Sequence, residues 1–306
     1  MIEYILTLLI TLLGLYKASE ILVNELENFA YYYRISRFGI GFIFLAVATS
    51  LPELAMSTIS SILKRGDLGI GIALGNIIYN VLLIFGIVAI FYGLNIEEKR
   101  NKKIEKISLI SLISLFPLLF LKTASYIYGI TLIIVFILSS RFLITENDKN
   151  KYRYFTLRYR FQNKILLSIS LILTIFLSYI TIIIGKQIVE ITKISATFFG
   201  AIFMSFFSSI PELFSSLVAA KNKRYDLIYG AVFGTLLFDS TFTSGISMIF
   251  SFYKIETYFY LIYFFLFLSL LTINHFLQNR SKIWISEGLY LLLIFIFYIV
   301  LSIIFI

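Results

Sequence analysis

The chain has no cysteine, three prolines, one histidine and one tryptophan among 306 residues, and only 14% of its residues are charged. Without cysteine there are neither disulfides nor thiol metal sites, which leaves the compartment open. The lone His275 excludes an H-E-x-x-H metalloprotease helix, and no G-x-x-x-x-G-K-[ST] phosphate loop occurs, which argues against ATP-driven transport. No nucleophile–base pair suggests an enzyme. The start does not match a cleavable signal, because Glu3 stands where a basic residue is expected and the first apolar run is long. Soluble domains carry about 25% charged residues. A chain that is 59% hydrophobic, with mean hydropathy +0.94, reads instead as an integral membrane protein whose partner is the lipid bilayer.

A spanning helix needs about 20 mostly apolar residues. Ten segments qualify, near 2–23, 36–63, 68–93, 107–121, 124–144, 165–189, 194–220, 227–252, 257–275 and 284–305. Runs such as Leu291–Phe297 lack the alternation of a membrane barrel, so an all-α bundle is expected. With ten helices, eighteen Lys and Arg fall in one set of loops and five in the other. The positive-inside rule then makes the protein a multi-pass cell-membrane protein with both termini extracellular. The net charge of +9 is explained by this topology, with no need for nucleic acid.

The little proline present is informative. Two of the three prolines sit in near-identical segments, Ser50-Leu51-Pro52-Glu53-Leu54 and Ser209-Ile210-Pro211-Glu212-Leu213, 159 residues apart. At that offset, 18 of the 53 pairs between 35–87 and 194–246 are identical, including Gly41/Gly200, Ser57/Ser216, Lys64/Lys223, Gly71/Gly230, Gly75/Gly234 and Gly86/Gly245. Five helices per repeat is an odd number, so the halves would be inverted, as in secondary transporters with midplane binding on broken helices. The expected organisation is a first repeat over 1–145, a basic cytoplasmic linker over 146–164, and a second repeat over 165–306.

An ionisable residue at the centre of a membrane helix costs at least about 2.5–3.5 kcal/mol and marks an ion or substrate path. Pro52 removes an N–H and crowds the carbonyl four residues back. The carbonyls of Ala46, Ala48 and Thr49 are therefore expected to splay, as are those of Ser205, Phe207 and Ser208 ahead of Pro211. Thr49 and Glu53, like Ser208 and Glu212, are four apart on one helix face. Each half thus offers a carboxylate, hydroxyls and carbonyls, the hard oxygens that Ca2+ takes in sets of 6–8. The bland alternative is a kinked helix whose glutamate pairs with Lys17 or Lys186. Asn80 and Asp239 follow the glutamates by 27 residues, and Asn76 and Thr235 precede them by four. Lys17/Glu20 and Lys186/Glu190 are expected simply to pair, and Trp284 and the tyrosines to anchor at the interface.

T-S-L-P-E (Thr49–Glu53) and S-S-I-P-E (Ser208–Glu212), each followed by G-x-x-x-G-[NT]-x-x-x-[ND], resemble the α-repeats of the cation/Ca2+ exchanger superfamily, above all the compact prokaryotic sodium/calcium exchangers. The resemblance implies ten helices, an antiporter moving Ca2+ against Na+ without a cofactor or obligatory protein partner, and alternating access by sliding of the first and sixth helices. It implies Ca2+ binding by Glu53, Glu212, Thr49 and Ser208 with the Ala46 and Ser205 carbonyls. Ser50, Ser209, Asn76, Thr235, Asn80 and Asp239 would complete the Na+ sites. The chain departs from the family pattern G-N-x-x-G-S-N at Asn76 and Thr235, and Ala48 and Phe207 stand where a glycine is usual. An H+/Ca2+ antiporter and a cation channel are the competing readings; inverted repeats favour alternating access over a channel.

Overall fold

The computed structural model describes residues 2–32, 45–95, 98–145, 161–279 and 282–305. The linker up to residue 160 and the start of the second apolar segment, Gly41 included, lie outside the described residues. Every apolar segment read from the sequence is helical over its described part. In order they are α1 (Ile2–Tyr32), α2 (Leu45–Thr49), α3 (Leu51–Ile62), α4 (Gly66–Ile78), α5 (Phe85–Tyr92), α6 (Glu98–Leu115), α7 (Tyr126–Thr145), α8 (Phe161–Thr192), α9 (Ala196–Phe199), α10 (Ser205–Ser208), α11 (Ile210–Lys221), α12 (Tyr225–Leu237), α13 (Ser244–Phe250), α14 (Tyr258–Asn279) and α15 (Ile285–Ile304). Wide π turns at Tyr79–Ile84, Gly200–Met204 and Phe238–Thr243 join α4 to α5, α9 to α10 and α12 to α13.

Among the described residues, six helical stretches are long and apolar enough to cross a membrane, or seven if the bent pair Ala196–Ser208 and Ile210–Lys221 counts as one span. The protein is a multi-pass, nearly all-helical membrane protein. Its centre is occupied by Gly66–Tyr92 and Leu227–Phe250, which are 78% and 83% buried, whereas the spans in α1 and α8 are 39% and 33% buried and pack along each other at the edge. A helix buried all round needs close neighbours, and α4 achieves this with Gly71 and Gly75. A methyl group at either would run into the backbone of Thr197 or Ala201. This is the small-residue packing that the sequence suggested.

The 159-residue offset recurs throughout the fold. The π turn Tyr79–Ile84 has its counterpart at Phe238–Thr243, and α3 has its counterpart in α11. Lys64 and Lys223, also equivalent, both adopt positive φ (63° and 55°). Each closes a Schellman turn: Lys64 and Arg65 N–H donate to the Ser61 and Ser60 carbonyls, and Lys223 and Arg224 N–H to those of Ala220 and Ala219. Two short antiparallel bridges join the halves, Leu94–Asn95 with Lys282–Ile283 and Thr123–Ala124 with Tyr253–Lys254. The Leu94–Ile283 pair maps onto Tyr253–Ala124 when the halves are exchanged. The glycine contacts Gly86–Gly288 and Gly245–Gly129 are related in the same way.

Candidate functional site

Both prolines lie at the N-terminal turn of a helix, where a missing N–H costs least. α3 begins one residue before Pro52 and α11 one residue before Pro211. The chain breaks at Ser50 and Ser209, and the second break bends by 43°. Each glutamate is thereby set in the first turn of its helix, deep in the bundle: Glu53 is 0% and Glu212 3% exposed. Asp239, on the π turn after α12, is also 0% exposed. The three acids are within electrostatic reach of one another.

Contacts among these residues run from one repeat to the other. The Ser208 hydroxyl lies beside Glu53, and the Thr49 hydroxyl beside Glu212. Both hydroxyls are turned back onto their own helices, Thr49 Oγ1 donating to the Ala46 carbonyl at 3.2 Å and Ser208 Oγ to the Ser205 carbonyl at 3.2 Å. Ser50 Oγ donates to Thr235 Oγ1 at 3.2 Å, and its repeat equivalent Ser209 Oγ lies 2.6 Å from Asn76 Oδ1. Asn76 Nδ2 donates to Asp239 Oδ2 at 3.0 Å and Asn80 Nδ2 to Glu212 Oε2 at 3.1 Å.

One expectation is corrected. The Ala46 and Ser205 carbonyls do not splay: they accept the Ser50 and Ser209 N–H groups at 3.0 Å each. The proline interrupts the ladder further along, at Ala48 and Phe207, four residues before Pro52 and Pro211, so the carbonyls of Ala46 and Ser205, two residues earlier, keep their partners. An ion using these carbonyls would displace the folded-back hydroxyl bonds rather than find an empty lone pair. Thr243 was missed altogether. Its hydroxyl donates to Asp239 Oδ1 at 2.8 Å, and the available signal was a threonine four residues after an acid on an apolar helix.

Among the described residues neither glutamate forms an ion pair with Lys17 or Lys186. Lys17 pairs with Glu20 at 2.8 Å and Lys186 lies 4.0 Å from Glu190, both at the exposed edge. Both Glu53 oxygens and Glu212 Oε1 are buried and accept no hydrogen bond. Such atoms are strongly unfavourable unless a cation or proton meets them. Among the described residues no three of His, Cys, Asp and Glu converge into a metal site of their own. A cation held here would need hydroxyl, amide and carbonyl oxygens beside the carboxylates, a donor set that suits Na+ and Ca2+.

Comparison with known proteins agrees with this chemistry. The family model described as Sodium/calcium exchanger protein matches residues 3–145 and 164–304. An uncharacterized membrane protein of Methanocaldococcus jannaschii, MJ0091, is 29% identical over 240 residues, covering 76% of each chain. The sodium/calcium exchanger MaX1 of Methanosarcina acetivorans is 36% identical over 98 residues, 32% of this chain and 28% of that one. Among solved structures, the sodium-calcium exchanger NCX_Mj soaked with Na+ and Sr2+ superposes with a TM-score of 0.71 at 26% identity, covering 98% of both chains.

Proposed function

From the premise that the chain belongs to the sodium/calcium exchanger protein family, we propose that it is a secondary antiporter exchanging Ca2+ for Na+ by alternating access at the site built on Glu53 and Glu212. The observation that carries this reading is the pair of buried carboxylates with three oxygens that have no hydrogen-bond partner among the described residues. Two negative charges balance one divalent cation, and several monovalent cations can replace it at the same oxygens. Thr49, Ser208 and the Ala46 and Ser205 carbonyls would complete the Ca2+ shell. Ser50, Ser209 and Thr235 supply further oxygens for Na+, with Asn76, Asn80 and Asp239 bounding them.

Alternating access suits a molecule of two inverted five-helix halves, 1–145 and 165–306, joined by the basic cytoplasmic linker 146–164, with ten spans and both termini outside. The exchange-symmetric bridges, glycine contacts and Schellman turns support that organisation. Residues equivalent in sequence make equivalent contacts with the other half, so opening on one side can mirror closing on the other. The deciding experiment is 45Ca2+ uptake into proteoliposomes loaded with Na+, K+ or H+ in excess, or with no gradient. Uptake driven by an outward Na+ gradient at equal pH is expected. Uptake driven by a pH gradient and indifferent to Na+ would assign proton coupling instead.

A further inference from the structure

Building on the exchange reading, we propose that Tyr79 is a positioning residue for exchange: its hydroxyl, with the Asn80 amide beside it, clamps both ends of the broken stretch that carries Ser205, Ser208 and Ser209. Tyr79 is 2% exposed, and Tyr79 Oη donates to the Ile202 carbonyl at 2.9 Å. Its ring stands edge-on to Phe295 of α15 at 5.0 Å and tilted against Phe206 of α10 at 5.9 Å, which leaves the hydroxyl little freedom to turn elsewhere. One residue on, Asn80 Nδ2 donates to Glu212 Oε2 at 3.1 Å. Ile202 and Glu212 lie on either side of the break at Ser209, so one π turn grips the segment before and after its ligands.

That stretch needs outside support. α9 and α10 have four residues each, about one turn, which does not hold as a helix by itself. Between them Ser205 N–H reaches back five residues to the Gly200 carbonyl. Along α4 the stretch is fixed by close backbone approach: a methyl at Gly200 would come within 2.5 Å of the Leu68 carbonyl oxygen, and Ser205 Oγ lies 2.9 Å from the Ile72 carbonyl oxygen. Tyr79 adds a bond in the middle of the π turn itself, between Gly200 and Ser205. The repeat supplies an internal comparison. Phe238, equivalent to Tyr79, has no hydroxyl and packs on Phe136 and Phe242 at 5.4 and 5.0 Å. Asp239, equivalent to Asn80, bonds to Asn76 and Thr243, and neither Glu53 oxygen accepts a hydrogen bond. The clamp is therefore particular to the stretch with Ser205, Ser208 and Ser209 and is not a general requirement of the packed core. A bond from Tyr79 to a backbone carbonyl acts by preorganisation, holding the ligands in place before an ion arrives.

The test is Tyr79→Phe in the full-length chain, which removes one oxygen and keeps the ring. In proteoliposomes, the Ca2+ and Na+ concentrations for half-maximal exchange should both rise by about two- to tenfold, the worth of one neutral hydrogen bond. The maximal rate should stay level or rise, because ions held less tightly also leave faster. Hydrogen–deuterium exchange on the purified protein should quicken at the amides of 200–209 and stay unchanged over 225–237. Unchanged half-maximal concentrations overturn the inference. Amide exchange that quickens evenly along the chain overturns it too, as does a variant that does not fold, since either makes the hydroxyl a general support of the bundle. The exchange reading fails by a different result: no Na+-driven 45Ca2+ uptake by the unsubstituted protein. The amide measurement does not require transport, so the two failures are distinguishable.

Discussion

Replacing Glu53 by Gln tests the site with the least collateral damage. Neither Glu53 oxygen accepts a hydrogen bond, so the substitution keeps the side-chain shape while removing the charge and exchanging one ligand oxygen for an amide NH2. A unit charge 4 Å from a divalent ion contributes about 8 kcal/mol at an effective dielectric of 20, twice the value for two unit charges. Desolvation and repulsion from Glu212 and Asp239 offset most of this. If only about 3 kcal/mol survives, Ca2+ affinity still falls by about a hundredfold or more. The ion-free protein loses a mutually repelling buried acid, so its thermal stability should stay level or rise. The assay is 45Ca2+ flux in proteoliposomes beside a melting curve of the purified protein without Ca2+. Near-normal flux would refute the central role of the glutamate. Loss of the fold would show that the charge holds the bundle together and would refute the reasoning equally.

Three further outcomes are expected. Single cysteines at Asn150 and Ile306, in a chain with none of its own, should react with an impermeant thiol reagent from opposite sides of the membrane, and same-side labelling would defeat the inverted ten-helix arrangement. Thr235→Val removes the hydroxyl that accepts from Ser50 and should raise the Na+ concentration for half-maximal exchange more than that for Ca2+; equal shifts would count against a Na+ role. Gly129→Ala places a methyl 2.5 Å from the Gly245 carbonyl oxygen, and Gly288→Ala places one 2.7 Å from that of Gly86. Overpacking of this kind costs about 1–3 kcal/mol, so both should lower the melting temperature by similar amounts; one tolerated and one disruptive substitution would show that the related contacts are energetically unequal.

Much of the site was legible because polar, proline and glycine residues are rare and conspicuous in an apolar chain. Glu53 and Glu212 could be singled out by the cost of a carboxylate in hydrocarbon, and the repeat by identities that hydrophobic patterning cannot generate. The proline breaks, the buried α4 with its glycine face and the edge pairs Lys17–Glu20 and Lys186–Glu190 follow from local rules that act within one or two turns. The family resemblance rested on the same residues.

Only the tertiary structure decided which residue meets which. The four-residue spacing places Thr49 and Glu53 on one helix face, and the structure sets Thr49 beside Glu212 and Ser208 beside Glu53. The π turns carrying Asn80 and Asp239, the Thr243 bond and the Asn76 amide bridge were likewise absent from the sequence reading. Spacing along one helix fixes a common face because the backbone is regular over that distance. It says nothing about the partner helix, whose position is set by glycine contacts and backbone bridges between segments more than a hundred residues apart. The sequence by itself determined which groups are buried and that they come in matched pairs; the packing of one half against the other determined that the pairs are exchanged.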